Sequence, residues 1–228
     1  MEYRVEQKYI VNEYTIAYLQ ANLIQYMDYD RYSGEQGYLI KSIYFDDLSD
    51  SCLYENLGGY DKRRKYRIRA YNNDSFVIHL EKKEKYRGYT KKTSEAVSLT
   101  ACLEYMETGH RIPDSDMGFI QKNLFAEWMC SRMEPKCIIE YERQALVDEI
   151  GNVRITFDKN IDVIEDVKSF FSVNGYSIPV MEKGMHILEV KYDELLPDYV
   201  KKILKECNLN QTAFSKYCYG RLALGQLK

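Results

Sequence analysis

Charged residues recur at every second position in several strand-like segments of this 228-residue chain. In the segment 65–71, Lys65, Arg67 and Arg69 alternate with aromatic or apolar residues. Side chains two residues apart in a strand lie on the same face, so this segment has one cationic face and one packing face. The same alternation recurs near residues 4–8, 79–85 and 189–191. The pattern predicts β-strands whose polar faces carry many Lys and Arg side chains.

Eight strands are predicted, and the short turns between several of them are typical of antiparallel sheets. The strands are predicted at residues 3–11, 38–46, 65–71, 76–86, 89–97, 136–146, 154–157 and 186–192. Helical periodicity predicts helices at 13–27, 194–206 and 213–227, and a helical insertion at 100–133. No Pro/Gly/Ser-rich linker divides the chain, so we expect one domain over residues 1–228. The predicted fold class is α+β: an eight-stranded antiparallel β-barrel with flanking helices and a helical insertion.

Two explanations of the cationic faces are open. In the first, each face is an ordinary solvated outer surface. In the second, the faces together line the interior of the barrel. The interior of an eight-stranded barrel holds side chains and one small ligand. Like charges held away from bulk water are costly unless an anion neutralises them, and Arg and Lys suit phosphate oxygens. The second explanation therefore predicts a polyanionic, phosphate-containing ligand.

Carboxylates are interleaved with these cations. Three predicted strands contain Glu-x-Lys, at Glu6/Lys8, Glu81/Lys83 and Glu189/Lys191. Carboxylates are hard oxygen ligands that bind Mg²⁺ or Mn²⁺, and these ions also bridge phosphates. A divalent metal bound together with the phosphate ligand is the expected cofactor.

Charge and cysteine usage exclude several other classes of function. The formal net charge of −3 argues against general binding to nucleic acid or to an anionic membrane surface. The basic run at 62–65 is interpreted as the mouth of the barrel or a solvated turn. Neither an apolar run long enough to span a membrane nor a signal peptide is evident. The six Cys are scattered without zinc-ligand spacing, so a cytoplasmic protein is expected.

Seven segments, in order along nearly the whole chain, resemble a known family. They are RVEQKY at 4–9, SIYFD at 42–46, KYRIRAY at 65–71, LEKK at 80–83, YER at 141–143, LEVK at 188–191 and FSKY at 214–217. Together they resemble the VTC domain, the polyphosphate polymerase module of the vacuolar transporter chaperone complex, in the triphosphate tunnel metalloenzyme superfamily.

The resemblance implies a tunnel open at both ends that binds a triphosphate or polyphosphate through inward cations, with a metal held by glutamate. The implied phosphate contacts are Lys8, Arg67, Arg69, Lys83, Lys91, Arg143, Lys216 and the Ser215 hydroxyl, and strand parity adds Arg154. The catalytic set among them is Lys216, Arg67, Arg69 and Lys83. Glu189 is the implied metal ligand, with Glu6 and Glu81 as further candidates. After Lys91 the chain departs from some relatives, which have a second inward basic residue two positions later, so one cationic contact is expected to be missing.

The activity implied by the resemblance is transfer of the γ-phosphate of ATP to a growing polyphosphate chain, with Mn²⁺ or Mg²⁺ as cofactor. Two alternatives stay open on the sequence. One is a phosphohydrolase of the same fold that cleaves triphosphate or nucleoside triphosphates. The other is a module that binds polyphosphate or nucleotide without turnover. The expected partners are therefore ATP or another triphosphate and inorganic polyphosphate; nucleic acid and direct membrane insertion are not expected, and the sequence names no membrane-protein partner.

Overall fold

The computed structural model describes residues 5–87, 89–149, 151–173 and 175–226, and its strands follow the predicted pattern. Tyr3 and Arg4, at the start of the first predicted strand, lie outside the described residues. The strands are β1 Val5–Asn12, β2 Asp28–Tyr29, β3 Tyr38–Asp46, β4 Arg63–Tyr71, β5 Asp74–Tyr86, β6 Tyr89–Ala96, β7 Glu134–Asp148, β8 Val153–Ile164, β9 Ile178–Pro179 and β10 Met185–Tyr192. All except the two-residue β2 and β9 match a predicted strand.

Six helices accompany the strands in the described part of the chain. They are α1 Glu13–Leu23, α2 Ser51–Leu57, α3 Leu99–Thr108, α4 Phe119–Ser131, α5 Asp198–Glu206 and α6 Lys216–Ala223. Asn12 caps α1 as predicted, because its side chain accepts a hydrogen bond from the Thr15 amide at 2.9 Å. The predicted helical insertion is confirmed as α3 and α4, which lie between β6 and β7. Helix α2 was not predicted, since it is only seven residues long.

Hydrogen bonds link the eight long strands in the order β1-β10-β8-β7-β3-β4-β5-β6. The predicted fold class is confirmed: the protein is α+β, with an eight-stranded antiparallel sheet. Asn72 and Asn73 at the β4–β5 turn have φ angles of 51° and 57°, which suit a tight hairpin turn. Strand β8 continues to Ile164, beyond its predicted end at residue 157, because the polar residues 158–160 remain part of the strand.

The chain forms two compact units, of which the first contains residues up to 39, 141–161 and 181–214. Helices α1 and α5 cover one face of its strands. The buried side chains of this core include Leu19, Leu23, Phe157, Leu188 and Val200. The residues that alternate with them on β1, β8 and β10 are largely polar and lie on the opposite face. Each of these strands therefore has one face in the hydrophobic core of the unit and one face that carries charged side chains.

The second unit contains residues 40–140, 162–180 and 215 onward, and includes most of β3 and all of β4 to β6. Strand register aligns Ile43, Ile68 and Leu80, and all three are fully buried on one face. Gly220 of α6 packs closely against the sheet, since a Cβ at this position would overlap with the side chain of Ile139. The predicted charged residues of β4 and β5 lie on the other face.

Three strands pass from one unit to the other: β3 after Leu39, β7 after Glu140 and β8 after Ile161. Among the helices of the described residues, none is both long and apolar enough to cross a membrane.

Candidate functional site

The first group of candidate site residues lies in the second unit, on the polar face of β3, β4 and β5. Strand register places Arg67 opposite Tyr44 on β3 and opposite Glu81 on β5. Arg69, two residues further along β4, lies opposite Ser42 and donates from Nε to the serine Oγ at 3.1 Å. Residues directly opposite on antiparallel strands are neighbours on one face. We call the group Tyr44, Arg67, Arg69, Glu81 and Lys92 the arginine cluster.

Glu81 lies at the centre of the arginine cluster. Its Oε2 accepts a hydrogen bond from Arg67 Nε at 2.6 Å, and its Oε1 pairs with Lys92 Nζ. Arg67 also donates from Nη1 to the Tyr44 hydroxyl at 3.2 Å. Glu81 and Arg69 are only 4% and 6% exposed. The explanation of these charges as a solvated outer surface is therefore wrong for Glu81 and Arg69.

Two pKa values report the positive field of the arginine cluster. Burial alone would raise the pKa of Glu81, but the charges of Arg67 and Arg69, together with a lysine hydrogen bond, lower it to about 2. Burial also acts to raise the pKa of Tyr44, but the same two arginines and Lys216 bring it below its ordinary value. Lys216 therefore acts on the same tyrosine as the arginines. A partly buried field of this sign favours a bound anion.

Three lysines on the same polar face form a row beside the arginines. Register places Lys65 of β4 opposite Lys83 of β5, and Lys83 opposite Lys92 of β6. Like charges directly opposite each other across strands are destabilising. An anion bound to the row would relieve this repulsion.

Ser215 and Lys216 lie at the start of α6. The Ser215 hydroxyl caps the helix by accepting a hydrogen bond from the Cys218 amide at 3.4 Å. The same oxygen accepts a hydrogen bond from Lys65 Nζ at 3.0 Å. Ser215 is thus both a helix cap and a neighbour of the lysine row, and α6 presents its first residue, Lys216, near Tyr44.

Lys91 lies on the opposite face of the sheet from the other predicted cations. It pairs in register with Glu84, whereas Lys92 pairs with Lys83. The prediction that Lys91 lies on the cationic face is therefore wrong, and Lys92 lies there instead. The residue two positions later on that face is Ser94, so this strand contributes a single basic residue to it. The sequence could have predicted this face for Lys92, because a two-residue hairpin turn after Tyr86 makes Tyr86 pair with Tyr89 and so fixes the register of β5 with β6.

The second group lies in the first unit, on the polar face of β1, β10, β8 and β7. Register places Lys8 opposite Glu189, and Glu6 opposite Lys191. Within each strand the Glu and Lys also pair, at 3.0 Å for Glu6 with Lys8 and 3.0 Å for Glu189 with Lys191. We call Glu6, Lys8, Arg143, Asp158, Glu189 and Lys191 the carboxylate cluster.

Arg143 and Asp158 form the most buried ion pair of this cluster. The guanidinium donates from Nε and Nη2 to the two carboxylate oxygens at 2.6 and 2.7 Å. Despite burial, the charge of Asp158 raises the pKa of Arg143 well above its ordinary value, so the arginine stays charged. Arg143 Nη2 also lies 3.7 Å from a carboxylate oxygen of Glu189. The fork of Arg143 is thereby fixed beside the predicted metal ligand.

Arg154 is opposite Lys191 in register, and its guanidinium pairs with Asp30. Asp30 was not predicted as a site residue, because it follows the two-residue strand β2 and belongs to no periodic pattern. Arg154 lies on the same strand face as the carboxylate cluster, as strand parity predicts.

The three glutamates predicted as metal ligands differ in their surroundings. Glu81 lies in the second unit, where its two oxygens pair with Arg67 and Lys92. Glu189 also has cations beside both oxygens, at 3.0 and 3.7 Å, but a second carboxylate lies on its face. Glu6 and Glu189 lie on one face of adjacent strands. The described residues contain no group of three or more His, Cys, Asp or Glu placed to hold a metal ion. Because Mg²⁺ often binds through one or two carboxylates and completes its shell with phosphate oxygens and water, Glu189 and Glu6 fit a metal that binds together with a phosphate ligand.

Comparison with known proteins gives a family match over nearly the whole chain. The model of the VTC domain family matches residues 3–224, which includes parts of both units. No curated protein matches the chain in sequence.

Two solved structures show the same fold. One is an adenylate cyclase candidate from Bacillus halodurans, at 15% identity and a TM-score of 0.58, with 94% of each chain covered. The other is the PH1819 protein from Pyrococcus horikoshii, at 15% identity and a TM-score of 0.50, with 99% of this chain and 100% of that chain covered. At this identity the likeness concerns the fold.

Glu81→Gln is predicted to lower the free energy of unfolding by about 3 kcal/mol at pH 7, since one pKa unit corresponds to about 1.4 kcal/mol. The folded-state pKa of Glu81 is depressed from 4.5 to about 2. Its stabilising contribution is therefore present above the unfolded pKa and is lost as the pH falls towards 2. Urea unfolding of both proteins between pH 7 and pH 3 measures the difference.

Glu142→Gln, an exposed change on β7, is the control and is expected to change stability by less than about 0.5 kcal/mol. A stability difference between wild type and Glu81→Gln that stays constant from pH 7 to pH 3 would contradict the assigned charge of Glu81.

Proposed function

The chain belongs to the VTC domain family, and from that premise we propose that it is a metal-dependent phosphotransferase that extends inorganic polyphosphate with the γ-phosphate of ATP. The observation that carries the proposal is the arginine cluster, in which Arg67 and Arg69 act together on Glu81 and Tyr44. Catalysis of phosphoryl transfer mainly requires that the protein position the phosphates and neutralise their charge. The proposal treats both units as one functional domain.

In the proposed reaction a terminal oxygen of the polyphosphate acceptor forms a bond to the γ-phosphorus of ATP. The bond from that phosphorus to the β–γ bridging oxygen breaks, and ADP leaves with the electron pair. Negative charge moves from the acceptor oxygen to the leaving oxygen during this step. Cations beside both oxygens and around the transferred phosphoryl group stabilise the transition state.

Arg67, Arg69, Lys83 and Lys216 are assigned to the transferring phosphoryl group, as the catalytic set. Arg67 and Arg69 are held from the side by Glu81 and Ser42, which fixes their guanidinium planes before phosphate binds. Pre-oriented donors of this kind stabilise developing charge without reorganising during the reaction.

The remaining cations are assigned to the phosphate chains. They are Lys8, Arg143 and Arg154 of the first unit, and Lys92, in place of Lys91, with the Ser215 hydroxyl in the second.

Glu189, with Glu6 as the further candidate, is assigned to the metal. A bound Mn²⁺ or Mg²⁺ would neutralise phosphate oxygens and help to align donor and acceptor. Lys191 and Arg143 hold the Glu189 carboxylate from two directions, at 3.0 and 3.7 Å. These contacts orient the Glu189 carboxylate.

Pure protein incubated with ATP and Mn²⁺ is predicted to yield ADP and an acid-labile phosphate polymer. Arg67→Ala is expected to lower the rate by about 100-fold or more, the scale of removing one well-placed charged donor. Arg132→Ala is the matched control, because Arg132 is an exposed arginine of the same unit that lies over the ring of Trp128. Orthophosphate release without polymer would instead indicate a phosphohydrolase, and binding without ADP release a non-catalytic module.

Glu189→Gln is predicted to raise the Mn²⁺ concentration needed for half-maximal activity by at least about tenfold, because the change removes a charged oxygen ligand. The measurement is a Mn²⁺ titration of ADP release. Glu142→Gln, on the exposed side of β7, controls for loss of a nearby negative charge. An unchanged Mn²⁺ dependence in Glu189→Gln would remove Glu189 from the metal site.

A further inference from the structure

Tyr217, the second residue of α6, occupies a fully enclosed position next to the arginine cluster. It is 1% exposed, and its ring stacks on that of Tyr44 with centroids 5.3 Å apart and an interplanar angle of 24°. Its hydroxyl donates to Asp46 Oδ2 at 2.6 Å and accepts from Arg221 Nη1 at 2.7 Å. The side chain of Tyr217 is therefore fixed both by ring packing and by two hydrogen bonds.

Asp46 is anchored independently of α6. Its Oδ1 accepts hydrogen bonds from the amides of Asp47 and Cys52 at 2.9 and 2.8 Å, and its Oδ2 accepts one from the amide of Leu53 at 3.0 Å. The last two amides belong to the first turn of α2, so Asp46 caps that helix from the end of β3. Asp46 is 0% exposed. The carboxylate cannot shift without breaking the start of α2.

The other partner of the Tyr217 hydroxyl is anchored as well. Arg221 lies one helical turn further along α6, and its Nη1 pairs with Asp50 Oδ1 at 3.0 Å. Tyr217 and Arg221 are four residues apart, so they lie on the same side of the helix. Both hold this side of α6 against the segment 46–53, which contains the end of β3 and the start of α2.

Fixing one side of a helix fixes the direction of every other residue, because successive side chains are about 100° apart. The residues whose direction is set here are Ser215 and Lys216, immediately before Tyr217. Ser215 Oγ accepts from Lys65 at 3.0 Å, and the charge of Lys216 acts on the Tyr44 hydroxyl. Small rotations of α6 would therefore move both groups away from the other cations.

The chemistry of the bond suits a permanent anchor. Burial, and then the charge of Asp46, raise the pKa of Tyr217 far above its ordinary value, so the hydroxyl keeps its proton at all physiological pH values. A neutral donor to a buried carboxylate satisfies both groups, and leaving either unsatisfied is costly. Tyr217 itself is too enclosed to touch a ligand.

We propose that Tyr217 is a positioning residue: its hydrogen bond to the carboxylate of Asp46 sets the orientation of α6, and thereby directs Lys216 towards bound phosphate. The inference rests on the proposed function, since it concerns the same phosphate-binding residues. It differs from a purely structural role, because the effect of Tyr217 on phosphate binding passes through Lys216.

A double-mutant cycle on the full chain tests this inference. The affinity for inorganic triphosphate is measured by calorimetry for wild type, Tyr217→Phe, Lys216→Ala and the double variant. Tyr217→Phe keeps the stacked ring and removes only the hydroxyl. In the wild-type background it is expected to weaken binding by about tenfold, which corresponds to the net free energy of about one hydrogen bond. In the Lys216→Ala background it is expected to weaken binding by less than about twofold.

Tyr105→Phe is the matched control. Tyr105 is also 1% exposed and lies in the same unit, but its hydroxyl has no hydrogen-bond partner among the described residues. The control is expected to leave triphosphate affinity within about twofold of wild type. If Tyr217→Phe does not fold, as judged by circular dichroism, Asp46→Asn replaces it in the same cycle, with the same expected pattern.

The outcomes separate this inference from the proposed function. Binding of triphosphate to wild type, with an unchanged affinity in Tyr217→Phe, would overturn the inference and leave the proposed function standing. Equal losses in both backgrounds would also overturn it, because Tyr217 would then not act through Lys216. Failure of wild type itself to bind triphosphate would overturn the proposed function and the inference together.

Discussion

Buried carboxylates hold the cations of both units in position. In the second unit Glu81 binds Arg67 and Lys92, and in the first Asp158 binds Arg143 through both of its oxygens. Removal of either carboxylate would leave positive charge in a poorly solvated place, which is strongly destabilising. The charges of Arg67, Arg69 and Lys92 act together on the single carboxylate of Glu81, so negative charge from a ligand is a favourable addition.

The fold supplies these pairs through strand register. A residue on one face meets its partner on the neighbouring strand only if the two strands are in the correct register, since a slip by one residue moves every side chain to the other face. Lys92 shows the consequence: it joins Lys83 and Glu81 because Tyr86 pairs with Tyr89 at the turn. The packed faces, with buried residues such as Ile68 and Leu80, hold that register.

Period-two alternation was sufficient to predict the eight long strands, the α+β class and most of the charged face, because alternation is a local property. Contacts between segments that are distant in the sequence could not be predicted from alternation. Asp46 and Tyr217 are 171 residues apart, and neither the capping of α2 nor the anchoring of α6 leaves a periodic signal. Asp30, the partner of Arg154, likewise follows a strand of two residues. The sequence motif predicts Lys91 as the inward lysine, whereas the pairing of Tyr86 with Tyr89 places Lys92 on that face.

A crystal structure of the protein with inorganic triphosphate and Mn²⁺ tests the central claim most directly, because the claim is that the cations of the arginine cluster bind phosphate. The account predicts phosphate oxygens within about 3 Å of the Arg67 and Arg69 guanidinium groups and of Lys216 Nζ, the ordinary distance for charge-assisted hydrogen bonds. Triphosphate bound without any contact to Arg67 or Arg69, with Arg67 still hydrogen-bonded to Glu81 and Tyr44, would contradict it.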